Sequence, residues 1–340
     1  MQSSALANKH VLLMAPVFFE YYSAIKRELE LLGATVYVIK EDFVNTSTLY
    51  RYFFIKSEHL KYRFTSSYYK RQLDKLEDNI DVVFVIRGEA ISEDIMLLIK
   101  EKYPNAFYLM YQWDSIKNNP NAVKISSYFN KCSTFDPLDA EKLNWIYRPL
   151  FFIQNEDEVI ANNKKNIDFI FVGTLYYRRA ELLKKIKSYC KTNKYVLFDY
   201  LYVKKLEYFV HKYLMRDQRY SILNTDEVKF RPLSTDEISR YYKKTKIFVD
   251  YAADSQNGLT MRTIESIGNR SKIITNNKNI LNADFYNTNN IYLYDINEFT
   301  ISETFINTPY EELNNKILHK YSLKGWIEDI FGEYLNENSK

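Results

Sequence analysis

Short apolar runs alternate with segments of helical spacing, and the alternation runs twice along the chain. His10–Ala15 (HVLLMA), Thr35–Ile39 (TVYVI), Val82–Ile86 (VVFVI) and Ala106–Tyr111 (AFYLMY) are too short for helices. Each is apolar at nearly every position, the pattern of strands covered on both faces. Glu20–Leu32, stopping at Gly33, Tyr68–Leu76 and Ser92–Tyr103 lie between them with helical spacing. Ser92 suits an N-cap, with Glu93 and Asp94 in the first turn.

The polar stretch Gln154–Asn166 breaks this pattern and reads as a linker. The alternation then restarts. Strands are expected at Ile167–Val172, Tyr195–Tyr200, Val228–Phe230, Ile247–Tyr251, Lys272–Thr275 and Asn290–Tyr294. Helices are expected at Arg178–Tyr189, Lys204–Leu214, Thr235–Lys243 (capped by Thr235), Gly258–Ile267 (stopped by Gly268), Tyr310–His319 and Leu323–Leu335. The chain of 340 residues is long enough for two domains. The expected architecture is α/β, with two doubly wound, Rossmann-like domains facing across a cleft. Residues 1–150 form the first domain, 151–166 the linker, 167–321 the second domain and 322–340 a C-terminal helix.

Several function classes fall away. Neither domain carries GxGxxG after its first strand, and no GxxxxGK[ST] occurs, which disfavours dinucleotide folds and P-loop NTPases. Cys132 and Cys190 are too few for a disulfide framework. His10, His59, His211 and His319 are far apart and form no zinc motif. The apolar stretch Val11–Phe19 is interrupted by Pro16 and falls short of the roughly 20 residues that span a bilayer. Met1–His10 has no apolar signal core, so a cytoplasmic location is expected. A net charge of +4 is too mild to imply nucleic acid by itself.

The segment Asp250–Asn276 (DYAADSQNGLTMRTIESIGNRSKIITN) is the most informative. It reads as strand end, loop, helix start and second strand. Ligands of open α/β sheets bind at the carboxyl ends of strands. A helix N-terminus there offers unpaired N–H groups that suit phosphate. Gly258 permits close backbone approach, Arg262 adds fixed positive charge, and Glu265 lies on the same helix face. The same spacing also fits an ordinary helix pair with Gly258 as a mere N-cap.

GLTMRTIESIG followed by SKIITNN resembles the donor-binding segment of GT-B glycosyltransferases, in particular bacterial enzymes of capsule and lipopolysaccharide synthesis and CgeB-like proteins. DFIFVGTLYYRRAELLKKI resembles the opening strand, loop and helix of the GT-B C-terminal domain, and LMYQWDSI extends the likeness to the first domain. The resemblance is strongest from Ile167 to Asn287. It implies that Glu265 accepts hydrogen bonds from the ribose hydroxyls of a nucleotide-sugar. The backbone of Gly258, Leu259 and Thr260, with Arg262, would hold the diphosphate. Ser255, Gln256 and Asn257 would face the donor sugar. GT-B enzymes often place a Glu in that loop, and here the nearest acid is Asp254. Phe230 and Arg231, at the end of the preceding strand, would seat the base. Arg178 or Arg179 would neutralise the leaving diphosphate. The chain has no Asp-x-Asp, and a helix terminus plus arginines can balance the leaving charge, so neither metal nor cofactor is expected. The resemblance further implies a UDP-linked donor, a growing surface glycan or lipid-linked glycan as acceptor, and terminal helices that cross back onto the first domain.

The first domain is expected to hold the acceptor, with Asp114 or Glu89 as general base. Trp113, beside Asp114, suits packing against a sugar ring. A retaining enzyme would not need this base, and Asp114 would then only orient the acceptor. Arg51–Arg71 (RYFFIKSEHLKYRFTSSYYKR) interleaves six basic residues with seven aromatic ones. Such a stretch suits an anionic membrane surface or single-stranded nucleic acid, or is a solvated face over an aromatic core. Of these the resemblance favours the membrane, and no nucleic-acid partner is expected. The rival readings are a nucleotide-sugar epimerase of the same architecture, disfavoured because no His falls at a strand end, and a nonenzymatic RNA-binding protein.

Overall fold

The computed structural model describes residues 5–17, 21–41, 58–76, 79–153, 164–176, 178–253 and 256–337. It divides into two compact units, Met1–Leu150 with Leu323–Lys340, and Phe151–Ser322.

The first unit holds the strands β1 (His10–Ala15), β2 (Thr35–Lys40), β3 (Val82–Ile86), β4 (Phe107–Gln112), β5 (Lys131–Thr134) and β6 (Ile146–Tyr147). They form a six-stranded sheet in the order β2-β1-β3-β4-β5-β6, and every pairing is parallel. All five residues of β3 are buried, which is why its sequence lacks alternation. Chain order reverses between β1 and β3, so the ends of these strands border the topological switch point. The terminal helix Leu323–Glu337 belongs to this unit. It buries Trp326 against Tyr111 (ring centroids 4.7 Å apart) and Phe84 (5.9 Å). Asp329 on the same helix pairs with Arg148 at 2.8 Å.

The second unit holds β7 (Ile167–Thr174), β8 (Leu197–Tyr202), β9 (Thr245–Val249), β10 (Lys272–Thr275) and β11 (Ile291–Leu293). They form a parallel sheet in the order β11-β10-β9-β7-β8. The switch point here lies between β7 and β9. One face of the sheet and its helices close over a core that includes Phe169, Phe171, Leu183, Ile186 and Val249.

The two doubly wound sheets are those the alternation predicts, but several local expectations need correction. Val228–Phe230 forms no strand. It contributes one parallel bridge, Tyr202↔Lys229, because only Lys229 exchanges backbone bonds with the edge of β8 (Lys229 N–H to Leu201 O, 2.8 Å; Val203 N–H to Lys229 O, 2.9 Å). The cap of the helix Thr235–Lys243 is Ser234, not Thr235. Ser234 Oγ accepts from Glu237 N–H while a Glu237 carboxylate oxygen accepts from Ser234 N–H, a capping box. The last helix before the terminal one is Asn315–Tyr321 rather than Tyr310–His319, since Asn314 caps it. The helix expected from Gly258 begins at Met261 and is capped by Thr260. Gly268 lies inside its last turn, where an added Cβ would sit 2.5 Å from the Phe152 ring. It is a packing glycine and not a stop signal. No described helix is long and apolar enough to cross a membrane.

Candidate functional site

In the second unit, the ends of β7 and β9 bring two arginines together. Arg262, in the second position of the helix Met261–Gly268, turns back over the sheet edge. Its Nε donates to Asp250 Oδ1 (2.9 Å), Nη1 to the Val172 carbonyl (3.2 Å) and Nη2 to the Tyr251 carbonyl (3.1 Å). Asp250, directly after β9, is fully buried. Its carboxylate also accepts from Thr260 Oγ1 (2.8 Å) and Thr275 Oγ1 (2.9 Å). One buried acid thus fixes the arginine, the helix cap and the end of β10.

Arg179 opens the helix Arg179–Asn193 after β7. Its Nη1 donates to the Thr174 carbonyl (3.1 Å), and its Nε is buried without a partner among the described residues. Burial, with Arg262 nearby, pushes its pKa down to about 9. Gly173 lies between the two guanidinium groups. A Cβ there would be 3.3 Å from Arg262 Nη1 and 3.7 Å from Arg179 Nη1. Two guanidinium groups, that of Arg262 paired with Asp250, therefore flank a bare stretch of backbone at the switch point, an arrangement that suits an anion.

Glu265 lies one turn beyond Arg262 on the same helix and is half-buried. Burial pushes its carboxyl up to about 8, opposed by a hydrogen bond from the Ile153 N–H. The loop before the helix is tied down by asparagines. Asn276 grips Ala252 by accepting from its N–H and donating to its carbonyl, both at 2.8 Å. Asn277 donates to the Gly258 carbonyl (3.1 Å) and Asn279 to the Asn257 carbonyl (2.9 Å). Gln256 also donates to the Gly258 carbonyl (3.2 Å). Gly258, Leu259 and Thr260 are buried, whereas Gln256 and Asn257 are half-buried. Asp254 and Ser255 lie outside the described residues.

Phe230 packs on Tyr208 (5.6 Å) and stacks on Phe209 (6.1 Å). The Arg231 side chain is exposed and forms a two-pronged pair with Glu237 (2.9 and 2.8 Å). Arg178 is likewise committed, binding Glu181 through two bonds (2.7 and 2.8 Å) and Asn297 at 2.8 Å. Of the two adjacent arginines, Arg179 is the one aimed at Gly173.

In the first unit, Asp114 and Glu89 meet through Arg87. Arg87 Nη2 lies 2.6 Å from Glu89 and 3.8 Å from Asp114. Asp114 Oδ1 accepts from Asn118 Nδ2 (2.8 Å) and the Ser115 N–H (2.9 Å). Arg87 and Gly88 both adopt left-handed backbone (φ 72° and 65°), which is uncommon for a residue with a Cβ. The turn is held because Gln112 Nε2 and Asn119 Nδ2 each donate to the Arg87 carbonyl at 2.7 Å. The buried Glu41 accepts from the Ala90 N–H (2.7 Å) and pins the loop further. Trp113 is half-buried and meets the edge of Tyr21 at 6.4 Å.

Of the basic, aromatic stretch 51–71, residues 51–57 lie outside the described residues. The remainder belongs to the helix Glu58–Leu73. Tyr69 is buried in the core and Tyr68 donates to the Lys40 carbonyl (3.0 Å), so these two rings serve packing.

Asp250, Gly173, Glu41 and the asparagines 276, 277 and 279 were not singled out as site residues by sequence. The cluster TNNKN after β10 was the available signal, since short amides at a strand end commonly tie down loops. Among the described residues no group of three or more His, Cys, Asp or Glu side chains is placed to hold a metal ion.

No protein-family model matches this chain, and no curated protein sequence matches it. Solved structures do. Sucrose-phosphate synthase from Thermosynechococcus elongatus aligns over 98% of this chain and 100% of its own, at 9% identity and a TM-score of 0.60. The Anabaena protein HepE in complex with UDP-glucose aligns over 96% and 99%, at 8% identity and 0.55. A glycosyltransferase from Rickettsia africae aligns over 98% and 99%, at 11% identity and 0.54. The fold is therefore that of GT-B glycosyltransferases, with two Rossmann-like halves.

Proposed function

We propose that this chain is a glycosyltransferase that takes a sugar from a UDP-linked donor. The observation that carries the reading is the pair Arg179 and Arg262 around Gly173, at the switch point between β7 and β9. A nucleoside diphosphate leaving group gains negative charge as its bond to the sugar breaks. Two fixed guanidiniums balance that charge as it develops and need no metal. The ribose hydroxyls donate to Glu265, one turn further along the helix. Phe230 offers a ring face to the base, and Gln256 and Asn257 are the residues nearest the donor sugar. The UDP and UDP-glucose complexes of HepE support a uridine donor.

Asp114 in the first unit is the proposed base. In an inverting transfer it takes the proton from the acceptor hydroxyl as that oxygen bonds to the sugar and UDP departs. Arg87, Asn118 and the Ser115 N–H hold it in place. The acceptor we infer is a growing surface glycan of the capsule or lipopolysaccharide class, elongated on the cytoplasmic side.

A thermal-shift panel in EDTA tests this, with UDP, GDP, CDP and ADP as ligands and a short RNA as control. A ligand that binds only the native state raises the melting temperature. A rise with UDP, lost in Arg262→Lys, is expected. A response to RNA alone would refute the reading.

A further inference from the structure

The segment after β8 presents an apolar surface that the proposed chemistry does not use. The helix Lys205–Phe209 runs into a π-helical turn, Val210–Leu214. Tyr208 faces inward and is fully buried, and its hydroxyl donates to the Leu223 carbonyl at 3.1 Å. The opposite side holds Leu206, Phe209 and Tyr213, which recur at helical spacing on one face, and all three are exposed. The turn ends in Tyr213, Leu214 and Met215, with 61%, 79% and 57% of their surfaces open. Three consecutive large apolar residues at an exposed tip are not scattered surface hydrophobes but a patch. The wide π turn carries Tyr213 round to stack on Phe209 (5.7 Å, 14° between planes), and Arg216 closes it in the left-handed conformation (φ 52°).

The charge around this tip is net positive, since Lys204, Lys205, Lys212 and Arg216 outnumber Glu207 and Asp217. Lys205 and Arg216 are exposed and Lys204 is half-exposed, and none of the three is paired with an acid among the described residues. The acids of the same stretch are engaged within it: Glu207 accepts from Tyr220 Oη (2.9 Å), and Asp217 sits 3.5 Å from His211 Nδ1. The surface thus shows apolar side chains at the centre and unpaired cations at the rim.

We infer that this tip is a membrane-docking element, which inserts Tyr213, Leu214 and Met215 at the interface of a bilayer rich in anionic lipid. Apolar residues framed by Lys and Arg are the pattern that binds in the headgroup region. Each basic residue near such a surface strengthens binding about five-fold. The rim charge favours anionic lipid over a second copy of this chain, whose tip would carry the same sign. Phe209 touches both Tyr213 and Phe230, so the docking face borders the ring that we assign to the nucleotide base. The inference itself does not depend on that assignment.

The test is vesicle flotation of the full-length chain, using phosphatidylcholine alone and phosphatidylcholine with 30% phosphatidylglycerol. The wild type is expected to float with the anionic vesicles and to detach in high salt. A Tyr213→Ser, Leu214→Ser, Met215→Ser triple variant should bind at least ten-fold more weakly at an unchanged melting temperature. Lys205→Glu with Arg216→Glu should bind about twenty-five-fold more weakly or worse. These changes are at exposed positions, so the melting temperature separates lost docking from lost folding. Absence of wild-type binding, or equal binding by the triple variant, would overturn the inference. So would a concentration-dependent dimer that the triple variant abolishes, because the patch would then be a protein interface.

Discussion

Arg179 is subject to two opposing demands, and a single substitution separates them. Its guanidinium is half-buried, its Nε lacks a partner among the described residues, and burial with Arg262 nearby pushes its pKa down to about 9. An arginine stays charged in a protein, so the folded chain carries the unfavourable energy of holding that charge. A displacement from 12.5 to about 9 corresponds to at most about 5 kcal/mol. Water at the partly open site reduces this to about 1–2 kcal/mol. Arg179→Gln is therefore expected to stabilise the protein, raising the melting temperature by about 2–8 °C for a unit of this size. The same change removes charge-assisted hydrogen bonds to a diphosphate, each contributing about 1.5–3 kcal/mol, so UDP affinity should fall roughly 10- to 150-fold. Calorimetric melting and isothermal titration on one preparation give both numbers. A stabilised variant with weakened UDP binding marks a residue kept for its ligand. A destabilised variant that binds UDP as well as the wild type would refute the reasoning, because Arg179 would then be a structural residue.

Three further outcomes follow from the same geometry. Glu265 holds its proton to about pH 8 in the folded chain and to about 4.5 when unfolded, so its contribution to stability falls as pH rises through that window. Glu265→Gln should gain about 2 kcal/mol over the wild type at pH 8 and little at pH 4.5 in urea denaturation, while losing UDP affinity. Wild-type UDP affinity itself should rise from pH 6 to 8 as the carboxylate ionises, measured by titration in matched buffers. Gly173→Ala places a Cβ 3.3 Å from Arg262 Nη1; displacing that guanidinium by a few tenths of an ångström should weaken UDP binding about 3- to 10-fold at near-normal stability. Asp114→Asn should lower kcat about 10²- to 10⁴-fold in a sugar-transfer assay, with UDP affinity unchanged because the substitution lies in the other unit.

The architecture was largely legible because buried parallel strands leave uninterrupted apolar runs, as VVFVI at β3 and KIIT at β10 show. β5 (KCST) and β6 (IY) were not legible, because one is short and polar and the other has two residues. Val228–Phe230 misled because β propensity is present where only one edge bridge forms. At the site, the helix and its Arg262 were readable from GLTMRTIE. The partnership with Asp250 was not, because it depends on β9 and β10 delivering Asp250 and Thr275 to one point. Arg178 and Arg179 were indistinguishable by sequence. Glu181, three residues on, captures the first and leaves the second facing Gly173.

A structure of the full chain crystallised with UDP shows where the diphosphate binds. The diphosphate oxygens are expected within hydrogen-bond distance, about 3 Å, of both the Arg179 and Arg262 guanidinium groups beside Gly173. The ribose hydroxyls are expected on Glu265. UDP bound away from the ends of β7 and β9, or a diphosphate that contacts neither arginine, would contradict this placement.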